Sequence, residues 1–309
     1  MMFSKRLQKG CGEMTVELAV KSVVLSNGET MAYRESGSGN EVIILIHGNM
    51  TSSRHWDVVM NELTDYKVYA VDLRGFGFST YNNEINSLQD FADDVKLFTD
   101  EMGLSSFTLV GWSTGGGVAM QFAATYPEVV KSIVLIESVG ISGYPIFKKD
   151  ENGAPLIGEF LKTKDEIAAD PIQVAPVLQA LQHKDTNFYR TLWNMVIYTQ
   201  KQPAPEQYEA YLADMLTQRN LVDVNYSLVT FNISHQHNGV VEGSGAVSNI
   251  KAPVLIIQGD RDYVVPMTMA EGIHEAIPHS KFVVLENCGH SPLVDCLDEL
   301  VAHIRNFIA

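Results

Sequence analysis

Apolar positions along this chain fall into two spacings, and the way those spacings alternate predicts the architecture. From about Val16 onward, short apolar runs alternate with stretches of helical periodicity, which predicts an α/β protein with a mostly parallel central sheet and helices on both faces. VKSVVLS and ETMAYRES, separated by Asn27-Gly28, predict an antiparallel hairpin, because Asn-Gly suits the positive φ angles of a type I′ turn. The runs at 42–46 (VIILI), 68–72 (VYAVD), 107–111 (FTLVG) and 132–137 (SIVLIE) are too continuously apolar for one-sided burial and predict strands covered on both faces. Helices are expected between them. The stretch 87–101 puts Leu88, Phe91, Ala92, Val95 and Phe98 on one face, and 114–126 ends before Pro127.

The alternation breaks at Gly140. Residues 141–248 carry helical patterns and no convincing strand run; the clearest helix sets Tyr208, Tyr211, Leu212, Met215 and Leu216 on one face. Alternation resumes with 253–260, a helix 267–277 stopped by Pro278, a strand 281–286 and a terminal helix 293–308. This organisation predicts a sheet of about eight strands. Its core is formed by 16–140 and 249–309, and a helical cap or lid, 141–248, is inserted after the sixth strand. Residues 1–15 read as an N-terminal extension with no assigned role. In such folds the cleft lies at the carboxyl ends of the strands.

Composition narrows the function. With 309 residues, 46% of them hydrophobic and 19% charged, the chain can bury a sizeable core and is neither a disulfide scaffold nor a disordered protein. Lys and Arg number 22 against 37 Asp and Glu, a net charge of −15 that repels phosphate backbones and anionic membrane surfaces. The expected partner is therefore a small molecule, with no nucleic acid and no membrane; nothing in the sequence sets the oligomeric state. Cys11, Cys288 and Cys296 are an odd, scattered set read as free thiols. No apolar segment follows Lys5, Arg6 and Lys9 as a signal peptide requires, and no run approaches 18 apolar residues, so a cytoplasmic location is expected.

Gly111-Trp112-Ser113-Thr114-Gly115 follows the strand FTLV and opens a helix, the strand, sharp turn and helix that a nucleophile elbow demands. A serine hydroxyl needs a base, and His290, in the loop after the strand 281–286, is the candidate best placed to reach Ser113. His47 could reach the site but reads as a loop brace. For the acid that orients the base, Asp262 follows the strand 253–260 and completes the chain order Ser, Asp, His; Glu137, at the end of SIVLIE, is the alternative acid. Asp260 reads as a local partner of Arg261 or of turn amides. The oxyanion needs two amide donors, expected from Thr114 and from Asn49 in the loop after VIILI. Trp112, beside the nucleophile, is the candidate pocket wall. No cofactor and no metal are expected. DLRGFGFS at 72–79 lacks the third glycine of a dinucleotide loop, and His274-Glu275 is followed by Pro278 where a zinc motif needs its second histidine.

HGNM (47–50), DLRGFGFS (72–79), GWSTGG (111–116), GDRDYVVP (259–266) and CGHSP (288–292), in this order, resemble the α/β-hydrolase family over about 20–309. The likeness is to its serine-nucleophile esterase and lactonase branch with a helical cap. It implies a carboxylic ester hydrolase acting on an ester or lactone by an acyl-enzyme mechanism; the apolar acyl portion is expected from the insert, whose run 188–198 (FYRTLWNMVIY) is dense in aromatic residues and Met that fit either a lid pocket or, more often, the core of the cap itself. GWSTGGG is similar to a motif of cofactor-free perhydrolases, and HGN to the oxyanion loop of some acyl-homoserine lactone hydrolases. Other chemistries of the family stay open: aminopeptidase, carbon–carbon bond hydrolase, perhydrolase, or a non-hydrolytic small-molecule receptor. An aminopeptidase would need a carboxylate cluster in the cap, where Asp165, Glu166 and Asp170 read as a solvated helix face.

Overall fold

In the computed structural model, which describes residues 18–309, the chain opens on the expected hairpin of β1 (Lys21–Val24) and β2 (Thr30–Ser36). The expected extension 1–15 and Cys11 lie outside the described residues. The turn differs from the type I′ expectation. Gly28 alone takes a positive φ (+87°), and Leu25 N–H donates to the Glu29 carbonyl at 2.8 Å, so three residues form the loop. Asn27 stays out of the left-handed region because its side chain is engaged, accepting from Glu29 N–H at 3.1 Å and donating to Asp94 at 2.7 Å.

The sheet continues with β3 (Val42–Ile46), then α1 (Asp57–Glu62), β4 (Lys67–Val71), α2 (Leu88–Glu101), β5 (Phe107–Trp112), α3 (Thr114–Thr125) and β6 (Val130–Ile136). Between β6 and the next sheet strand come β7 (Phe147–Lys149), β8 (Pro155–Phe160), α4 (Lys164–Ala168), α5 (Ala175–His183), α6 (Thr186–Val196), α7 (Pro205–Met215) and α8 (Leu221–Thr230). The chain then completes the core with β9 (Val254–Gly259), α9 (Met267–Ala276), β10 (Lys281–Leu285), α10 (Pro292–Asp295) and α11 (Leu297–Ile308). Eight strands form one sheet in the order β1-β2-β4-β3-β5-β6-β9-β10, antiparallel at the β1 and β2 end and parallel from β4 onward.

Both faces of the sheet are covered, as the unbroken apolar runs require. In β3, Ile44 and Ile46 enter one core with α2 and α3, while Ile43 and Leu45 enter the other with α1 and α11. Two expectations need correction. The insert is not wholly helical: β7 and β8 form a two-stranded antiparallel hairpin, hidden from the sequence because β8 is exposed along nearly its whole length and lacks an alternating apolar face. The terminal helix is two helices, broken at Cys296, whose extended φ of −140° interrupts the turn. No helix among the described residues is long and apolar enough to cross a membrane.

Candidate active site

Five strand ends converge on one place: β3 leads into His47 and Asn49, β5 into Ser113, β6 into Glu137, β9 into Asp262 and β10 into His290. Ser113 stands between β5 and α3 with φ +56° and ψ −119°, a strained conformation for a side-chain-bearing residue that costs about 1–3 kcal/mol. The surrounding contacts hold it there. Ser113 N–H donates to Ile136 O at 2.9 Å, and Ser113 O accepts from Gly116 N–H at 3.0 Å and Val139 N–H at 3.3 Å. The elbow is tight enough to exclude side chains on either side. A Cβ at Gly115 would lie 2.6 Å from the His47 carbonyl oxygen and closer still to that of Ile46, and one at Gly111 would strike the Gly115 backbone.

His290 Nε2 lies 3.0 Å from Ser113 Oγ, and His290 Nδ1 lies 2.7 Å from Asp262 Oδ2. Two hydrogen bonds thus run from the serine through the imidazole to a carboxylate, across 177 and 28 residues of sequence. Asp262 is itself fixed, its Oδ1 accepting from the amides of Val264 at 2.7 Å and Val265 at 2.9 Å. Burial pushes the Asp262 carboxyl up, but its electrostatic pairing with His290 and the hydrogen bonds it receives outweigh burial and hold it below the usual aspartate value. With Asp262 ionised, Nδ1 carries a proton and Nε2 presents a lone pair to the serine hydroxyl. The three side chains are therefore arranged for nucleophile activation.

Glu137 is the second acid in this corner. It is fully buried at φ +46°, and its Oε1 accepts from Gly259 N–H at 2.7 Å. One oxygen of Glu137, one of Asp262 and a ring nitrogen of His290 lie within 4.8 Å of one another. Burial first, then the Asp262 charge, push the Glu137 carboxyl well above its usual range. Nδ1 of His290 faces Asp262 rather than Glu137, so the structure makes Asp262 the direct partner of the imidazole.

Trp112 is 2% exposed and is not among the residues that line the cavity at Gly140. Its Nε1–H donates to the His290 carbonyl at 2.8 Å and its ring meets Trp56 edge-on, so it anchors the histidine loop to the core. His47 does brace its loop. Its Nδ1 lies 2.7 Å from Gly48 O, its Nε2 accepts from Leu73 N–H at 3.0 Å, and complete burial lowers its pKa to about 4, leaving it neutral. Asp260 accepts from Cys288 N–H at 3.1 Å, while Arg261 turns to Asn287 and Gln200.

Contacts between the insert and the core were beyond the sequence reading. Gln218 donates to the Asn49 side chain at 2.8 Å, and the same Asn49 oxygen accepts from Met50 N–H at 2.9 Å. Asp214, on α7, accepts from Ser52 at 2.8 Å and lies 3.5 Å from the buried ring of His55. The expected solvated face of Asp165, Glu166 and Asp170 holds only in part: Asp170 is buried against Lys149 at 2.8 Å, and Glu166 closes the capping box of α4. Ser113 is 9% exposed and His290 3%. A cavity of about 310 Å³ opens at Gly140, one residue past Val139, with Ile141, Phe147, Phe160, Val229 and Met269 among its walls.

A mostly parallel sheet covered on both faces, with a strained serine at a strand-to-helix elbow, defines the class of α/β protein by its fold. A model of the α/β hydrolase fold matches residues 41–295, and the chain belongs to that family. Lipase 1 of Psychrobacter immobilis is 27% identical over 300 residues, 94% of this chain and 84% of that protein. A putative lipase (lip1) from Acinetobacter baumannii has a similar structure, with a TM-score of 0.73 at 22% identity over 97% of this chain and 98% of its own. Est816, described as an N-acyl homoserine lactone degrading enzyme, superposes with a TM-score of 0.66 at 21% identity over 92% of this chain and 99% of its own.

Proposed function

We propose that the protein is a serine hydrolase that cleaves a carboxylic ester of a small molecule through an acyl-enzyme. The observation that carries this reading is the continuous chain from Ser113 Oγ to His290 at 3.0 Å and on to Asp262 at 2.7 Å. The oxygen of Ser113 attacks the acyl carbon as His290 Nε2 takes its proton, and Asp262 holds the resulting imidazolium. The oxyanion is received by the amides of Thr114 and Asn49. Thr114 is the first residue of α3, where a backbone N–H has no acceptor within its own helix. His290 returns the proton to the departing alcohol; a water then gives its proton to His290 and attacks the acyl carbon, releasing the acid and restoring Ser113.

The segment 141–248 acts as a cap, joined to the core beside Ser113 through Gln218 and Asn49. Its apolar cavity beside Gly140 supports an acyl portion that is largely apolar. The aromatic run 188–198 does not line that cavity: Tyr189, Trp193 and Tyr198 are buried where the insert packs on itself and on the core, with the Trp193 ring 5.7 Å from that of His55. A lactone, being an internal ester, would follow the same steps, and the likeness to Est816 keeps it as the second reading. A panel of aryl esters of rising acyl length, with acyl-homoserine lactones alongside, tests the proposal. Turnover by wild type that Ser113→Ala abolishes in a folded protein supports it; binding without turnover would favour the receptor reading.

A further inference from the structure

Glu137 combines three features that a structural carboxylate at a strand end does not need together. Its side chain is fully buried, its backbone holds φ +46° at the bend after β6, and one of its oxygens lies within 4.8 Å of Asp262 and His290. Its oxygens are used unequally. Oε1 receives the Gly259 amide at 2.7 Å, whereas no donor faces Oε2 among the described residues. A buried oxygen left in this state is costly unless it carries a proton of its own to donate. The acceptor at hand is Asp262, whose carboxylate is fixed by the amides of Val264 and Val265 and by His290. Two carboxylates this close cannot both be ionised in a buried site, and the one paired with the imidazole keeps the charge.

Resting on the serine hydrolase reading of this site, we propose that Glu137 stands as a neutral carboxylic acid donating a hydrogen bond to Asp262, a positioning residue that holds the acid against His290. The titratable groups facing this corner are Asp262 from the loop after β9, His290 and the Cys288 thiol from the loop after β10, Asp295 from α10 and the Tyr144 phenol from the insert. Asp295 is engaged by the amides of Gly289 at 2.8 Å and Lys201 at 3.0 Å, and Tyr144 donates to Val264 O at 2.7 Å. Gln258 Nε2–H also donates to Asp262 Oδ2, at 3.3 Å, so the Glu137 proton adds one more donor to a carboxylate already held by Gln258, Val264, Val265 and His290.

Glu137→Gln keeps an oxygen for the Gly259 amide and an N–H for Asp262, while Glu137→Leu removes both. Ester hydrolysis by the full chain, followed as kcat and KM against pH, separates the two. The Gln variant should hold kcat/KM within about threefold of wild type with the acid limb of its profile unmoved; the Leu variant should lose about tenfold or more in kcat with KM nearly constant. An acid limb that falls by about one unit or more in Glu137→Gln would mean that a negative charge had been removed, and would overturn the proposal. Undiminished kcat in Glu137→Leu would overturn it too. Infrared difference spectroscopy between wild type and Glu137→Gln at neutral pH needs neither turnover nor a folded Leu variant. A protonated-carboxyl band lost in the Gln variant is expected, and its absence from wild type contradicts the inference. Failure of the hydrolase reading is told apart by Ser113: a wild type that shows the infrared band but never turns over or labels Ser113 refutes that reading and leaves the protonation of Glu137 standing.

Discussion

Replacing Gly115 by alanine adds one methyl group at the point where the account is least tolerant. The new Cβ would stand 2.6 Å from the His47 carbonyl oxygen and nearer still to that of Ile46. An ordinary carbon to carbonyl contact is about 3.3 Å, so the first turn of α3 must retreat by roughly 0.7 Å or more. Both obstacles are backbone: Ile46 ends β3, paired with Val71 of β4 and Gly111 of β5 in the middle of the sheet, and His47 follows it directly, so neither can yield by rotating a side chain. Overpacking against fixed backbone costs about 2–3 kcal/mol, equivalent to roughly 3–5 °C in Tm for a chain of this size. The retreating turn carries Thr114 and bounds Ser113, and displacement of reacting groups by about 1 Å costs on the order of a hundredfold in rate. Gly115→Ala should therefore melt several degrees lower and lose about two orders of magnitude in kcat/KM on an aryl ester. Gly272→Ala is the matched control: it lies within α9 with nothing within 4 Å of its new Cβ, and should be neutral or stabilising by about 0.4–1 kcal/mol. Wild-type melting and turnover in Gly115→Ala would refute the elbow geometry described here.

Three further perturbations have defined outcomes. Asp262→Asn should lower kcat by about 10³–10⁴ with little change in KM, because the amide presents the wrong hydrogen-bonding partner to Nδ1; stopped assays at matched protein concentration measure it. His47 is neutral when folded, with a pKa lowered to about 4, so the unfolded chain binds more protons between about pH 6.5 and 4 and stability falls as pH falls through that window, by roughly 3 kcal/mol for this group. Urea titrations at pH 7 and 4.5 should show that slope reduced in His47→Gln, whose side-chain oxygen can still accept from Leu73 N–H. Trp112→Phe removes the donor to the buried His290 carbonyl and should cost about 1–3 kcal/mol by the same titration, with kcat falling more than KM changes.

Local spacing made the core legible. VIILI appears as a strand over the range its apolar run predicts, and the glycines flanking Ser113 sit where a side chain would collide. The order of Ser113, Asp262 and His290 along the chain, each just past a strand, was enough to put them at one edge of a parallel sheet. What stayed hidden depends on contacts that no local pattern encodes. Gln218 meets Asn49 across 169 residues and Ser52 meets Asp214 across 162, joining polar side chains whose partners no local spacing indicates. The hairpin of β7 and β8 escaped because an exposed strand carries no alternation to read. Glu137 is visible in the sequence as a strand-end acid, but that His290 Nδ1 faces Asp262 and not Glu137 is distinguished only by the folded geometry.

The most direct test is whether Ser113 is an activated nucleophile. Intact mass after exposure to a fluorophosphonate, on wild type and Ser113→Ala, reports this without knowledge of the natural ester. One adduct on wild type and none on the variant is the predicted result. Folded wild type that takes no adduct, or a Ser113→Ala protein labelled as readily as wild type, would contradict it.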